Sequence, residues 1–124
     1  MDQTDKKQIF WIGSSSKDLS KLPKDIQETF NLGLVQAAQG EQHVDAYPLK
    51  GFGGNSVLEI IEDDRSGTFR AVYTIRYKKA VYVLHVFQKK SKKKIATPKE
   101  DMDLINQRLK RASEHYKEYF GSGG

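Results

Sequence analysis

The sequence predicts a small α+β domain in which helices pack on a mainly antiparallel sheet, in the order β-α-β-β-β-α. Three observations predict it. A β-branched and aromatic run, Gln8-Ile9-Phe10-Trp11-Ile12, stands near the start. Three further strand-like runs follow one another at hairpin spacing. Two longer stretches repeat apolar residues every three to four positions, the period of a helix.

The first run stops at Gly13-Ser14-Ser15-Ser16, which has turn composition. From Ser20 or Lys21 to Gln39, Leu22, Ile26, Phe30, Leu34 and Ala37/Ala38 form an apolar stripe, Pro23 suits a first helical turn, and Gly40 follows the end. Gly33 inside this helix costs about 1 kcal/mol relative to Ala, which points to close packing against a neighbour. Residues 41–56 carry Pro48 and glycines at 51, 53 and 54, so an irregular connection is expected, with Lys50 beside flexible backbone. Strands are expected over Val57–Glu62, Thr68–Tyr77 and Ala80–Gln88. In the second, Phe69, Ala71, Tyr73, Ile75 and Tyr77 share one face, and Arg70, Val72, Thr74 and Arg76 the other. Thr97-Pro98-Lys99-Glu100 opens a final helix, with Thr97 as N-cap and Pro98 in the first position. Its stripe is Met102, Ile105, Leu109, Ala112, Tyr116 and Tyr119.

The chain has 124 residues, enough for one domain and too few for two ordinary ones. The expected organisation is a disordered stretch over 1–7, a single domain over 8–120, and a linker or tag remnant over 121–124. There is no cysteine, which excludes disulfides and thiolate metal sites and suits a reducing cytoplasm. The three histidines, His43, His85 and His115, are far apart and give no metal-ligand spacing, so no metal or other cofactor is expected. No apolar run reaches the ~18 residues of a spanning helix and no signal peptide is visible, so a cytoplasmic location with no membrane partner is expected.

Charge is distributed unevenly. The formal net charge is +5, yet Arg65 to Lys99 holds eleven Lys or Arg and no Asp or Glu, which leaves the rest of the chain at −6. The densest part, Lys89-Lys90-Ser91-Lys92-Lys93-Lys94, directly follows a strand, so a rigid element delivers it to one place. A polyanion partner follows, against the plainer reading of a solvated lysine loop. Glu62, Asp63 and Asp64 read as solvated turn carboxylates.

Five phrases carry a more specific signal: Trp11-Ile12-Gly13-Ser14-Ser15; Asp18-Leu19 with Leu22-Pro23; Pro48-Leu49-Lys50-Gly51-Phe52-Gly53; Phe69-Arg70-Ala71-Val72-Tyr73; and the run from Ala80 to Ser91. In this order they resemble the HigB-like, phage-derived branch of the RelE toxin superfamily. The resemblance implies a small RelE-like domain and the toxin of a type II toxin–antitoxin system, a ribosome-dependent mRNA endoribonuclease that halts translation and growth. It also implies a cognate antitoxin, helix-turn-helix and HigA-like, covering the cationic surface, with the ribosome and mRNA as the other partners. Superfamily positions for basic residues fall here on Lys50, Arg70, Lys89 and Lys90. The sequence departs from RelE in having Ile95-Ala96-Thr97-Pro98 where RelE has a Tyr after its last basic cluster.

RNA cleavage by the 2′-oxygen requires removal of a proton, neutralisation of phosphorane charge and protonation of the 5′ leaving oxygen. Arg70 and Lys90 suit the charge. Lys50 or Lys89 is the base if crowding lowers its pKa, and His85, with an ordinary pKa near 6.5, is the competitor. His85 also alternates with Val83 and Phe87 in a strand, as a structural histidine would. Arg76, Lys92, Lys93 and Lys94 are expected to hold RNA phosphates, and Tyr82 to offer a face to a base. The alternative reading is a non-catalytic RNA-binding or antitoxin-binding module on the same fold.

Overall fold

The computed structural model describes residues 6–89 and 97–121. Its element order is β1 (Gln8–Trp11), α1 (Ser15–Ser20), α2 (Lys24–Ala38), β2 (Ala46–Pro48), β3 (Val57–Asp64), β4 (Gly67–Thr74), β5 (Ala80–Lys89) and α3 (Lys99–Phe120). The strands form one sheet in the order β1-β5-β4-β3-β2. β2 through β5 are antiparallel neighbours, while β1 runs parallel to β5 at the other edge, Gln8 opposite Ala80 and Trp11 opposite Val83. The expected α+β class and mainly antiparallel sheet are therefore observed.

Helices cover both faces. On one face, Leu19 of α1 and Ile26, Phe30, Leu34, Ala37 and Ala38 of α2 meet Leu58, Ile60, Phe69, Ala71 and Tyr73 of the sheet. On the other, Ile105, Leu109, Ala112 and Tyr116 of α3 meet Val57, Val72, Tyr82 and Leu84. Both helical stripes read from the sequence point inward, and each fully buried Leu, Ile or Phe stabilises by about 1.5–3 kcal/mol. Tyr119 is the exception: it is exposed.

Gly33 is in the expected close contact, since a Cβ there would lie 2.5 Å from Ile60 Cδ1. Gly13 has φ +60°, and a Cβ on it would come within 2.8 Å of Arg108 Nε. That guanidinium donates to Leu84 O (2.9 Å) and Ser14 Oγ (3.1 Å), so it ties α3 to β5 and to the chain entering α1. Gly13→Ala should destabilise by about 1–2 kcal/mol from the left-handed backbone alone, and more through displacement of Arg108. Thermal unfolding against the wild type checks this, and an unchanged midpoint would refute the role.

Several boundaries differ from the sequence expectation. Ser15 and Ser16 belong to α1 and not to a turn, because Ser15 is buried with its hydroxyl on Val83 O (3.2 Å). Pro23 does not sit inside a helix: the chain breaks before it and α2 starts at Lys24, as expected when a proline restricts the residue preceding it. The connection 41–56 contains the short edge strand β2. The β3–β4 hairpin closes on Asp64 and Gly67, with Asp64 Oδ1 accepting from Ser66 N (2.7 Å), so β3 is longer than expected. β4 ends at Thr74, and Tyr77 turns to the opposite face from Tyr73, where it stacks on Tyr116 with centroids 4.6 Å apart. Thr97 does not cap α3. Pro98 occupies the N-cap, and the Thr97 hydroxyl accepts instead from Arg70 Nη1 (3.2 Å).

The β4–β5 pairing shifts register after Val72. Val72 lies opposite His85 and Tyr73 opposite Val83, which leaves Leu84 as an inserted residue. Leu84 and His85 consequently both turn toward α3: Leu84 enters the apolar layer and His85 meets Asp101.

Candidate active site

α3 covers only part of its sheet face. Beyond its N-terminal turn, β2, β3 and β4 and the loop after Pro48 leave an open cleft of about 610 Å³. Arg70 stands in its floor, on β4 opposite Ile61 and Phe87. It is 5% exposed and donates from Nη1 to Glu59 Oε1 (3.1 Å) and Thr97 Oγ1 (3.2 Å). Because Glu59 and Arg70 project from neighbouring strands of one hairpin, the pairing register itself sets this ion pair.

Glu59 is nearly as buried as Arg70. Desolvation raises its pKa above the usual carboxylate value, and the guanidinium offsets part of that rise. The result is a carboxylate whose titration is moved toward neutrality in the floor of an open cleft, a better proton acceptor at pH 7 than an ordinary lysine. Glu59 did not figure in the sequence reading, although a signal was present: a lone charge inside the apolar run Val57-Leu58-Glu59-Ile60-Ile61.

Lys50 is exposed and lines the cleft, anchored by the buried Leu49, whose N–H donates to Val57 O (2.9 Å). Lys89 ends β5 opposite Thr68, another lining residue. Its pKa is lowered by desolvation first and by the Arg70 charge second, with Asp101 and Glu59 opposing. Lys50 and Arg70 thus line one cleft, and Lys89 stands outside its lining but near enough to Arg70 and Glu59 to feel their charges.

Other candidates do not join them. Lys90, Lys92, Lys93 and Lys94 lie outside the described residues. Arg76 sits in the β4–β5 connection, at the end of the sheet opposite Lys89. It is six residues from Arg70, or about 20 Å along an extended strand, so it does not belong to the cleft. Tyr82 is fully buried, its hydroxyl bonded to His115 Nδ1 (2.7 Å) and its pKa raised to about 12, chiefly by burial. No ring face is open to a base, so the expected stacking role is corrected. His85 is 7% exposed, pairs through Nε2 with Asp101 Oδ1 (2.7 Å) and stacks on Phe87 at 4.4 Å. It does not line the cleft, and its contacts are those of a structural histidine holding α3 to β5.

The acidic group at the end of β3 is not simply solvated either. Glu62 is half-buried, and its pKa is raised to about 7 by desolvation, by a side-chain hydrogen bond with Asp45 and by the Asp45 and Asp63 charges. Protonated Glu62 is the donor in that hydrogen bond. Ligand atoms of His43, Asp45 and Glu62 lie within 4.8 Å of one another. His43 Nδ1, however, accepts the Asp45 N–H (3.0 Å), so the neutral ring carries its proton on Nε2 and has no lone pair left for a cation. The donor set therefore does not fit a metal as it stands.

A carboxyl with a raised folded pKa contributes stability that is complete below its unfolded value near 4.5 and lost as pH rises through about 7. The protein should therefore melt lower at pH 8 than at pH 5.5, with Glu62→Gln abolishing the Glu62 share of that difference. A pH profile identical in the variant would show that Glu62 does not titrate in this range.

The family model described as "Phage derived protein Gp49-like" matches residues 17–110. A solved structure of the E. coli toxin RelE, a double mutant in the free state, superposes with a TM-score of 0.54 at 20% identity. It covers 86% of this chain and 97% of that one. The fold is thus that of RelE. No curated protein matches the sequence significantly. Among the described residues no helix is long and apolar enough to cross a membrane.

Proposed function

The chain belongs to the phage-derived Gp49-like family, and on that premise we propose that it is the toxin of a type II toxin–antitoxin pair, a metal-independent, ribosome-dependent mRNA endoribonuclease of the HigB-like kind. The observation that carries the reading is the cleft itself. A buried arginine held by a buried carboxylate, with Lys50 in the cleft lining and Lys89 near by, is an arrangement suited to a phosphodiester and to moving a proton beside it.

The chemistry follows from the three requirements of cleavage. Glu59 accepts the 2′ proton as the 2′-oxygen attacks the adjacent phosphorus. Arg70, fixed by Glu59 and Thr97, and Lys50 neutralise the phosphorane oxygens. Lys89, more acidic than a free lysine because burial and the Arg70 charge lower its pKa, delivers a proton to the departing 5′-oxygen. The products are a 2′,3′-cyclic phosphate and a 5′-hydroxyl. Lys90 adds charge beside Lys89, and Lys92, Lys93 and Lys94 extend the phosphate contacts along ribosomal RNA.

Activity should rise with pH as Glu59 deprotonates, above the ordinary carboxylate range, and fall as Lys89 loses its proton, below the ordinary lysine range. A pH–rate profile of cleavage checks this; a flat profile between pH 5 and 9 would remove both residues from proton transfer. The antitoxin silences the protein by laying an acidic segment over Lys50, Arg70 and Lys89–Lys94. Inhibition by an antitoxin that leaves this surface open would contradict that mode.

A further inference from the structure

The cleft holds a feature that phosphate binding does not use. Its outer wall is β2, whose Tyr47 is 52% exposed and lines the cleft. Tyr47 lies directly opposite Glu59 in the β2–β3 ladder. The ladder continues one residue further, Ile61 N donating to Asp45 O (3.1 Å), so Asp45 and Tyr47 stand two residues apart on the same side of one extended segment. Both line the cleft, with Arg70 two strands away, about 10 Å by strand spacing, and the Asp45 side chain, which accepts a hydrogen bond from Glu62, keeps further lone pairs for a ligand. A carboxylate repels phosphate, so this wall faces a different part of any nucleotide held by Arg70 and Lys89.

We propose that Tyr47 and Asp45 form a nucleobase subsite, in which the Tyr47 ring stacks on a base and the Asp45 carboxylate accepts hydrogen bonds from that base's Watson–Crick edge. The proposal rests on the reading of the cleft as an RNA site. It names guanine as the preferred base. A carboxylate only accepts, and guanine presents N1–H and N2–H side by side; adenine and cytosine offer one donor group beside an acceptor, and uracil a single N–H between two carbonyls. Tyr73, Tyr77 and Tyr82 are turned into the core layers, whereas Tyr47 is presented on a strand and is 52% exposed. Stacking on an exposed aromatic tolerates any base, so affinity comes from Tyr47 and discrimination from Asp45.

The test is equilibrium binding of 2′-O-methyl RNA trinucleotides, which cannot be cleaved by 2′-oxygen attack, differing only in the central base. Wild-type protein should bind the guanine trinucleotide about tenfold more tightly than the other three. Tyr47→Ala should weaken all four by about tenfold, and Tyr47→Phe should bind as wild type. Asp45→Asn should retain binding and lose the preference. Equal affinity for the four bases, or unchanged binding by Tyr47→Ala, overturns the subsite, as does absence of binding by the wild type. Base-selective, Tyr47-dependent binding in a protein that cuts no mRNA upholds the subsite and rejects only the nuclease reading.

Discussion

Lys50→Ala combined with Lys89→Ala should abolish growth arrest on expression while leaving the protein folded. Both side chains reach solvent, Lys50 being exposed and Lys89 partly so, so their removal costs little stability. In the cleft they supply charge to the phosphorane and a proton to the leaving oxygen, and loss of one preorganised donor typically costs about 10²–10³ in rate. The pair should therefore reduce cleavage by at least that factor. Soluble expression with a wild-type melting temperature and full toxicity would show that the cleft is not the site. This pair is a cleaner probe than Arg70→Ala, which also leaves Glu59 in the floor of the cleft without its main counter-charge.

Glu59→Gln and Glu59→Ala should separate chemistry from architecture. The Gln variant keeps an oxygen that can accept from Arg70 Nη1, so folding should be near wild type, yet it cannot take a proton, and cleavage should fall by about 10²–10⁴. The Ala variant removes the carboxylate that neutralises a buried guanidinium, and breaking a buried pair costs about 3–5 kcal/mol. Chemical denaturation and single-turnover cleavage on both variants read the two effects independently. A Gln variant with normal cleavage would assign the proton transfer elsewhere, with Lys50 and Lys89 next in order.

The elements that the sequence made legible are those whose pattern is local. The stripes of α2 and α3 follow from apolar spacing alone, and three of the sheet strands from alternation and hairpin spacing. What failed were inferences that treated nearness in sequence as nearness in space. Arg65 to Lys99 reads as one cationic block, but the extended chain of β4 carries Arg76 about 20 Å beyond Arg70, and the β3–β4 pairing buries Arg70 against a carboxylate. Tyr82 reads as open because its neighbours are valines, while the structure covers both sheet faces with helices. The register shift at Leu84 puts His85 on the α3 side, a placement that strict alternation also leaves ambiguous until α3 supplies Asp101. Glu59 was the legible residue that went unread: one charge within five strand residues, matched by one on the next strand, is the pattern of a buried ion pair.

The most direct test is mapping of RNA 5′ ends after brief induction in growing cells, comparing the wild type with the Lys50→Ala/Lys89→Ala protein. The account predicts new ends inside translated codons for the wild type and none for the variant. No new ends from soluble, folded wild-type protein would contradict it and leave a non-catalytic binding module on the RelE fold.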